Sequence, residues 1–176
     1  MSFKKRLYIY VILSFISMGI VNARSITIQQ TIDWPEFMSS KDMIWEVLPE
    51  YWHESAYLGN GRLGLMIYKE PEKNYIRFET SNCDVNDHRE KRDVFGTPRL
   101  LTGHFALHPE GEIISGKMRL DLWNAEATTD IVTTKGAIHL KTFVHADDMI
   151  MIVKATTEGE EKDFQWEWIA AEANSP

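Results

Sequence analysis

The chain has 176 residues, and its 26 acidic side chains outnumber 19 basic ones to give a net charge of −7. That balance argues against nucleic acid or an anionic membrane surface as a partner. A single cysteine, Cys83, excludes an internal disulfide, so burial of the 44% hydrophobic residues must hold the fold.

Lys4, Lys5 and Arg6 precede an apolar run from Leu7 to Val21 and a small-residue site at Val21-Asn22-Ala23, the pattern of an export signal cut before Arg24. The run is shorter than the roughly 20 residues of a membrane-spanning helix. A signal-peptide helix over residues 1–23 and a soluble, periplasmic or extracellular product are therefore expected, with no membrane attachment after cleavage. Cys83 lies far from the cleavage site, which excludes a lipid-modified N-terminal cysteine. Cleavage removes three positive charges and no negative ones, moving the net charge from −7 to −10. Residues 24–40 read as a linker and 41–176 as one β-sandwich domain, long enough for a core of its own.

Asp42 to Glu50 reads as one short helical turn, ended by Pro49. The next stretch, LGNGRLG from Leu58 to Gly64, has the glycine spacing of a dinucleotide-binding loop. That chemistry needs a buried strand before the loop and a helix after it, so that free N–H groups meet the pyrophosphate. Neither flank fits: Tyr51 to Tyr57 is not a continuous apolar run, and Pro71 would cut a helix short. The sequence instead predicts a tight turn into a strand, with the glycines supplying positive φ.

Tyr75 to Thr80 alternates as a strand does. Further on, Met118, Leu120 and Leu122 alternate with Arg119, Asp121 and Trp123, and Ile138, Leu140, Thr142 and Val144 alternate with His139, Lys141, Phe143 and His145. Met149 to Val153 follows an Asp147-Asp148 turn, and Phe164 to Trp168 follows a polar loop. Period two with hairpin spacing predicts an all-β, antiparallel β-sandwich. If the complete domain needs strands beyond Pro176, the strand from Phe164 to Ile169 leaves an unpaired apolar edge.

No metal or other cofactor is expected. Asp84 to His88 opens like a calcium loop, but Arg89 stands where glycine is required and Phe95 where glutamate is required. The six histidines, His53, His88, His104, His108, His139 and His145, show no zinc-ligand spacing. Cys83 carries no mark of an activated thiol. Tyr51, Trp52, His53 and Tyr57 crowd the segment before the glycine turn, Arg62 lies within the turn, and the polar run Asn82 to Arg89 follows the next strand. Aromatic faces beside amide, carboxylate and guanidinium groups suit a sugar, whose C–H bonds stack while its hydroxyls are held in plane. The competing reading places those aromatics in the core.

The order Trp45, then LGNGRLGLMIY from Leu58 to Tyr68, then the strand Tyr75 to Glu79 with a polar turn after it, resembles the N-terminal sandwich domain of glycoside hydrolase family 95, the α-L-fucosidase group, and of related exported glycosidase-like proteins. Leu120-Asp121-Leu122, Gly136 and Lys141 to Ile150 are similar to that domain's later strands, so the likeness covers roughly residues 42–157, by strand and turn pattern. Where members carry an Asn-Glu-Asp-Thr-Leu-Trp-like run, this chain has ETSNCDVNDH from Glu79 to His88, which points away from α-L-fucose towards a sister group. The resemblance implies inverting hydrolysis by a carboxylic acid and a base, both residing in a helical barrel downstream of the sandwich. This sequence holds none of that barrel. The resemblance thus implies a non-catalytic domain, a fragment of a larger enzyme, that packs on the barrel and walls the sugar cleft through loops around Trp52, His53, Asn60, Arg62, Asp87 and His88. The alternative is a stand-alone carbohydrate-binding or envelope-associated sandwich.

Overall fold

The computed structural model describes residues 32–86 and 99–172, and all the elements below lie in the unit that begins at Asp33. The expected signal peptide lies outside the described residues, as does most of the expected linker. Within the remainder of that linker a short helix, α1, spans Trp34–Ser39: Asp33 caps it by accepting from Glu36 N at 3.1 Å, and Pro35 stands in its first turn, where no intrahelical N–H is needed.

Ten strands follow in two antiparallel sheets of five, the sandwich that the alternation predicts. The strands are β1 (Met43–Trp45), β2 (Ala56–Gly59), β3 (Leu63–Lys69), β4 (Ile76–Asn82), β5 (Gly103–Pro109), β6 (Ile113–Asp121), β7 (Glu126–Thr133), β8 (Gly136–Val144), β9 (Met151–Gly159) and β10 (Phe164–Ala170). The first sheet runs β1-β6-β7-β8-β9 and the second β10-β5-β4-β3-β2. The helical turn expected over Asp42 to Glu50 is not formed. Met43, Ile44 and Trp45 pair with Leu120, Arg119 and Met118 as β1, because an apolar and β-branched triplet gains more from a waiting strand edge than from one isolated helical turn. The helical turn that does form lies later, a 3₁₀ turn over Trp52–Glu54.

One face of each sheet builds the core. Leu58, Leu65, Ile67, Ile76, Phe78 and Leu107 meet Met118, Leu120, Ala127, Ile131, Ile138 and Leu140, with Leu48 closing one side. Each of the larger fully buried side chains contributes about 1.5–3 kcal/mol. Because β2 packs across β6, β7 and β8, β9 and β10 border the same flank of the sandwich. That flank is sparsely covered. Trp166 and Trp168 on β10 stay 42% and 46% exposed, although their registry opposite Leu107 and Phe105 puts them on the core-facing side. Among the described residues β10 has no strand on its outer side.

Candidate functional site

The glycine segment is a hairpin turn between β2 and β3, which settles the dinucleotide question against a helix: Leu63–Lys69 is extended. Only Gly61 uses positive φ, at 88°. Gly59 and Gly64 pair across the strands for a different reason, which is space. A Cβ at Gly59 would lie 2.9 Å from the Leu63 carbonyl oxygen, and one at Gly64 would lie 2.5 Å from Ser81 Oγ.

Asn60 organises this turn. Its Oδ1 accepts from Arg62 N at 3.0 Å and Leu63 N at 2.8 Å, and its Nδ2 donates to the carbonyls of His145 and Asp148 at 2.9 and 3.0 Å. Two donors and two lone pairs are all that a carboxamide has, so Asn60 fixes the turn to the β8–β9 loop and has nothing left for a ligand. Arg62 points into solvent and pairs with Asp84 at 2.5 Å. The hydrogen bond from Arg62, then that from the Cys83 thiol, holds the Asp84 carboxyl below its ordinary value.

Trp52 and His53 do not join this group. They sit in the 3₁₀ turn before β2, at the opposite end of that four-residue strand from Asn60 and Arg62, a separation of at least ~13 Å at strand spacing. Both are exposed, with Tyr51 stacked on His53 at 5.7 Å and Trp52 edge-on to it at 5.5 Å. Asp87 and His88 lie outside the described residues.

Two adjoining clefts open at the glycine-turn end of the second sheet. The larger, about 480 Å³, lies where the core-facing side becomes exposed: Trp168 and Phe105, 4.6 Å apart, form one wall, the Met149–Met151 segment another, and Thr80, Thr102 and Asn82 the polar floor. The smaller, about 290 Å³, is bounded by the glycine turn, Arg62, Cys83 and Arg99. They share Leu63, Ser81 and Asn82. No family model matches the chain, and no curated protein matches it either.

The larger cleft is lined by neutral polar and apolar side chains. Thr80 Oγ1 and Thr102 Oγ1 lie 2.8 Å apart and bond each other, while Thr80 Oγ1 also reaches the Gly103 carbonyl at 3.1 Å and Thr102 Oγ1 donates to the Thr80 carbonyl at 2.6 Å, so the buried Thr80 is spent within the fold and the half-buried Thr102 keeps at most one lone pair with which to accept. Asn82 Oδ1 accepts from Asp84 N at 2.9 Å, a bond that leaves the amide N–H groups unspent. Among the described residues lining the two clefts there is no carboxylate, and among the described residues no group of three or more His, Cys, Asp or Glu is placed to hold a metal ion. Sequence reasoning found Arg62 and the polar run starting at Asn82 but missed Trp168, Phe105 and Thr102. The available signal was the Phe-Gln-Trp-Glu-Trp alternation of β10, which at a sheet edge leaves its aromatics open to solvent.

Proposed function

We propose that this chain is a non-catalytic β-sandwich domain of an exported glycoside hydrolase that contacts a saccharide through the cleft beside Trp168. One observation carries the reading: a half-exposed tryptophan ring stands over a floor of Thr80, Thr102 and Asn82 at the mouth of the sandwich. Sugars bind by stacking their C–H faces on such rings while amides and hydroxyls take their hydroxyl groups. The Leu58 to Tyr68 segment supports the link to the glycosidase sandwich it resembles, a family whose acid and base are supplied by a barrel and not by the sandwich.

Calorimetry of the full chain against neutral oligosaccharides tests this. Millimolar-or-better binding is expected, weakened at least about tenfold by Trp168→Ala and unchanged by Trp52→Ala, since stacking on an aromatic ring contributes on the order of 1 kcal/mol or more beyond area burial. Absence of binding, or binding that Trp168→Ala leaves intact, refutes the site. Turnover of aryl glycosides by the chain itself refutes the non-catalytic role.

A further inference from the structure

We infer that the saccharide bound in this cleft is anionic, with its carboxylate or sulfate group received by Arg62 and Arg99 in the smaller cleft. The inference rests on the sugar-contact reading above and adds the class of sugar. Its starting point is a local reversal of charge. The whole chain is acidic, at −7, yet the charged side chains in the described lining of the two connected clefts are Arg62 and Arg99, with no carboxylate among them.

Geometry allows both guanidiniums to act. Arg62 is held by Asp84 through one terminal nitrogen at 2.5 Å, and a guanidinium has five N–H donors, so most of its fork remains available. The Arg62 side chain is 64% exposed, so the pair neutralises one charge without closing the cleft. Arg99 also lines this cleft, its backbone bridged to Asn86, and it makes no ion pair with any described residue. Counting the described residues alone, the site thus carries one uncompensated positive charge and two planar forks. Such forks match carboxylate and sulfate oxygens bidentately, which a neutral sugar hydroxyl cannot do. Gly61 keeps a side chain off this border, with nothing within 4 Å of where its Cβ would stand, so an oxyanion has room at the tip of the turn. The shared border at Leu63, Ser81 and Asn82 then lets one oligosaccharide rest a ring on Trp168 while its charged substituent reaches the arginines.

The test uses matched pairs of probes on the full chain: short galacturonate oligomers against the same oligomers methyl-esterified, and sulfated galactan oligomers against the same oligomers desulfated. At least one charged member is expected to bind about tenfold or more tighter than its neutral partner. The advantage should disappear in Arg99→Gln and shrink as ionic strength rises. The pair that shows the difference identifies the group as carboxylate or sulfate. Equal affinity for charged and neutral members, both sensitive to Trp168→Ala, overturns the anionic inference while leaving the sugar-contact reading standing. A charge preference that survives in both Arg99→Gln and Arg62→Gln overturns the assignment to these arginines. No binding of any probe overturns both.

Discussion

The side-chain amide of Asn60 donates to the main-chain carbonyl of His145 at 2.9 Å, across 85 residues of sequence, and so ties the glycine turn of the second sheet to the β8–β9 loop of the first. A second bond from the same nitrogen reaches the Asp148 carbonyl. A contact that joins two sheets at the rim of a cleft has consequences for both stability and shape. Asn60→Ala removes four hydrogen bonds at a half-buried position. With each worth about 0.5–1.5 kcal/mol net, the variant should lose roughly 2–6 kcal/mol in urea denaturation. Asn60→Asp keeps the two acceptor bonds within the turn and loses both donors, so it should fall between the two. Wild-type stability in Asn60→Ala would show that the tie is dispensable.

Gly103 and Trp168 supply a second prediction. Gly103 has φ of 132°, and a Cβ there would lie 2.5 Å from the Ile169 carbonyl oxygen and 2.8 Å from Trp168 Cζ2. Backbone strain of about 1–3 kcal/mol is joined by a collision with fixed backbone, and relief of the ring contact turns Trp168 out of the cleft. Gly103→Ala is expected to destabilise by roughly 2–5 kcal/mol, to shift the tryptophan fluorescence and to weaken saccharide binding. Gly61→Ala is the control. Its φ is 88°, but nothing lies within 4 Å of the added carbon, so it should cost only about 1–2 kcal/mol and leave the fluorescence unchanged.

The contrast between strands explains how much of this was legible in the sequence. β6 and β8 alternate cleanly, with Met118, Leu120, Ile138 and Leu140 buried, because one face of each meets the core and the other meets water. β7 is hidden by its composition: Thr129 and Thr133 are buried while Val132 faces solvent, so hydropathy does not follow the pleat. β5 is hidden because His104 and Ala106 are as buried as Leu107, which erases the period-two signal. β1 exists only because β6 offers it an edge. For the site, residue type was readable and position was not. Trp52 and Arg62 are ten residues apart in sequence and fall at opposite ends of β2, whereas Trp168 comes beside Asn82 only through the β4–β5–β10 order of the second sheet. Long-range strand order leaves no local mark.

Two histidines should titrate in opposite directions. The hydrogen bond between His139 Nδ1 and Asp130, at 2.7 Å, raises the His139 pKa above its ordinary value, with the charges of Asp130 and Glu158 adding to it against partial burial. Its stabilising share is therefore complete below the ordinary histidine value and is lost as pH rises through the raised folded value. His104 moves the other way: burial, then the Arg77 charge, lowers its pKa against the opposing pull of Glu70, Glu79 and Glu167. Its share is complete above the ordinary value and is lost as pH falls towards the lowered one. Proton NMR titration should place His139 highest and His104 lowest of the pair. Asp130→Asn should pull His139 down and leave His104 unmoved. The reverse order would mean that the two rings do not sit in these environments.

Glu161 makes the stability of the fold depend on a buried carboxylate. It is completely buried at the start of the β9–β10 loop, where its oxygens accept from Glu110 N at 2.6 Å, Gly111 N at 3.0 Å and the Thr133 hydroxyl at 2.5 Å. It thereby clasps the β5–β6 turn and the β7–β8 turn to the loop that leads into β10. Burial alone would push its carboxyl up, but the hydrogen bonds from Thr133, Glu110 and Gly111, with the charge of Lys135, outweigh that and hold it below the ordinary glutamate value. A lowered folded pKa means that the clasp is fully present above the unfolded glutamate value and is lost as pH falls through the folded one. Glu161→Gln sets an amide N–H₂ against a wall of donors and should cost roughly 2–4 kcal/mol at neutral pH. Its stability should then fall less steeply than that of the wild type on acidification through the carboxylate range. Parallel acid profiles for the two proteins, at equal neutral stability, would show that the three turns hold together without this carboxylate.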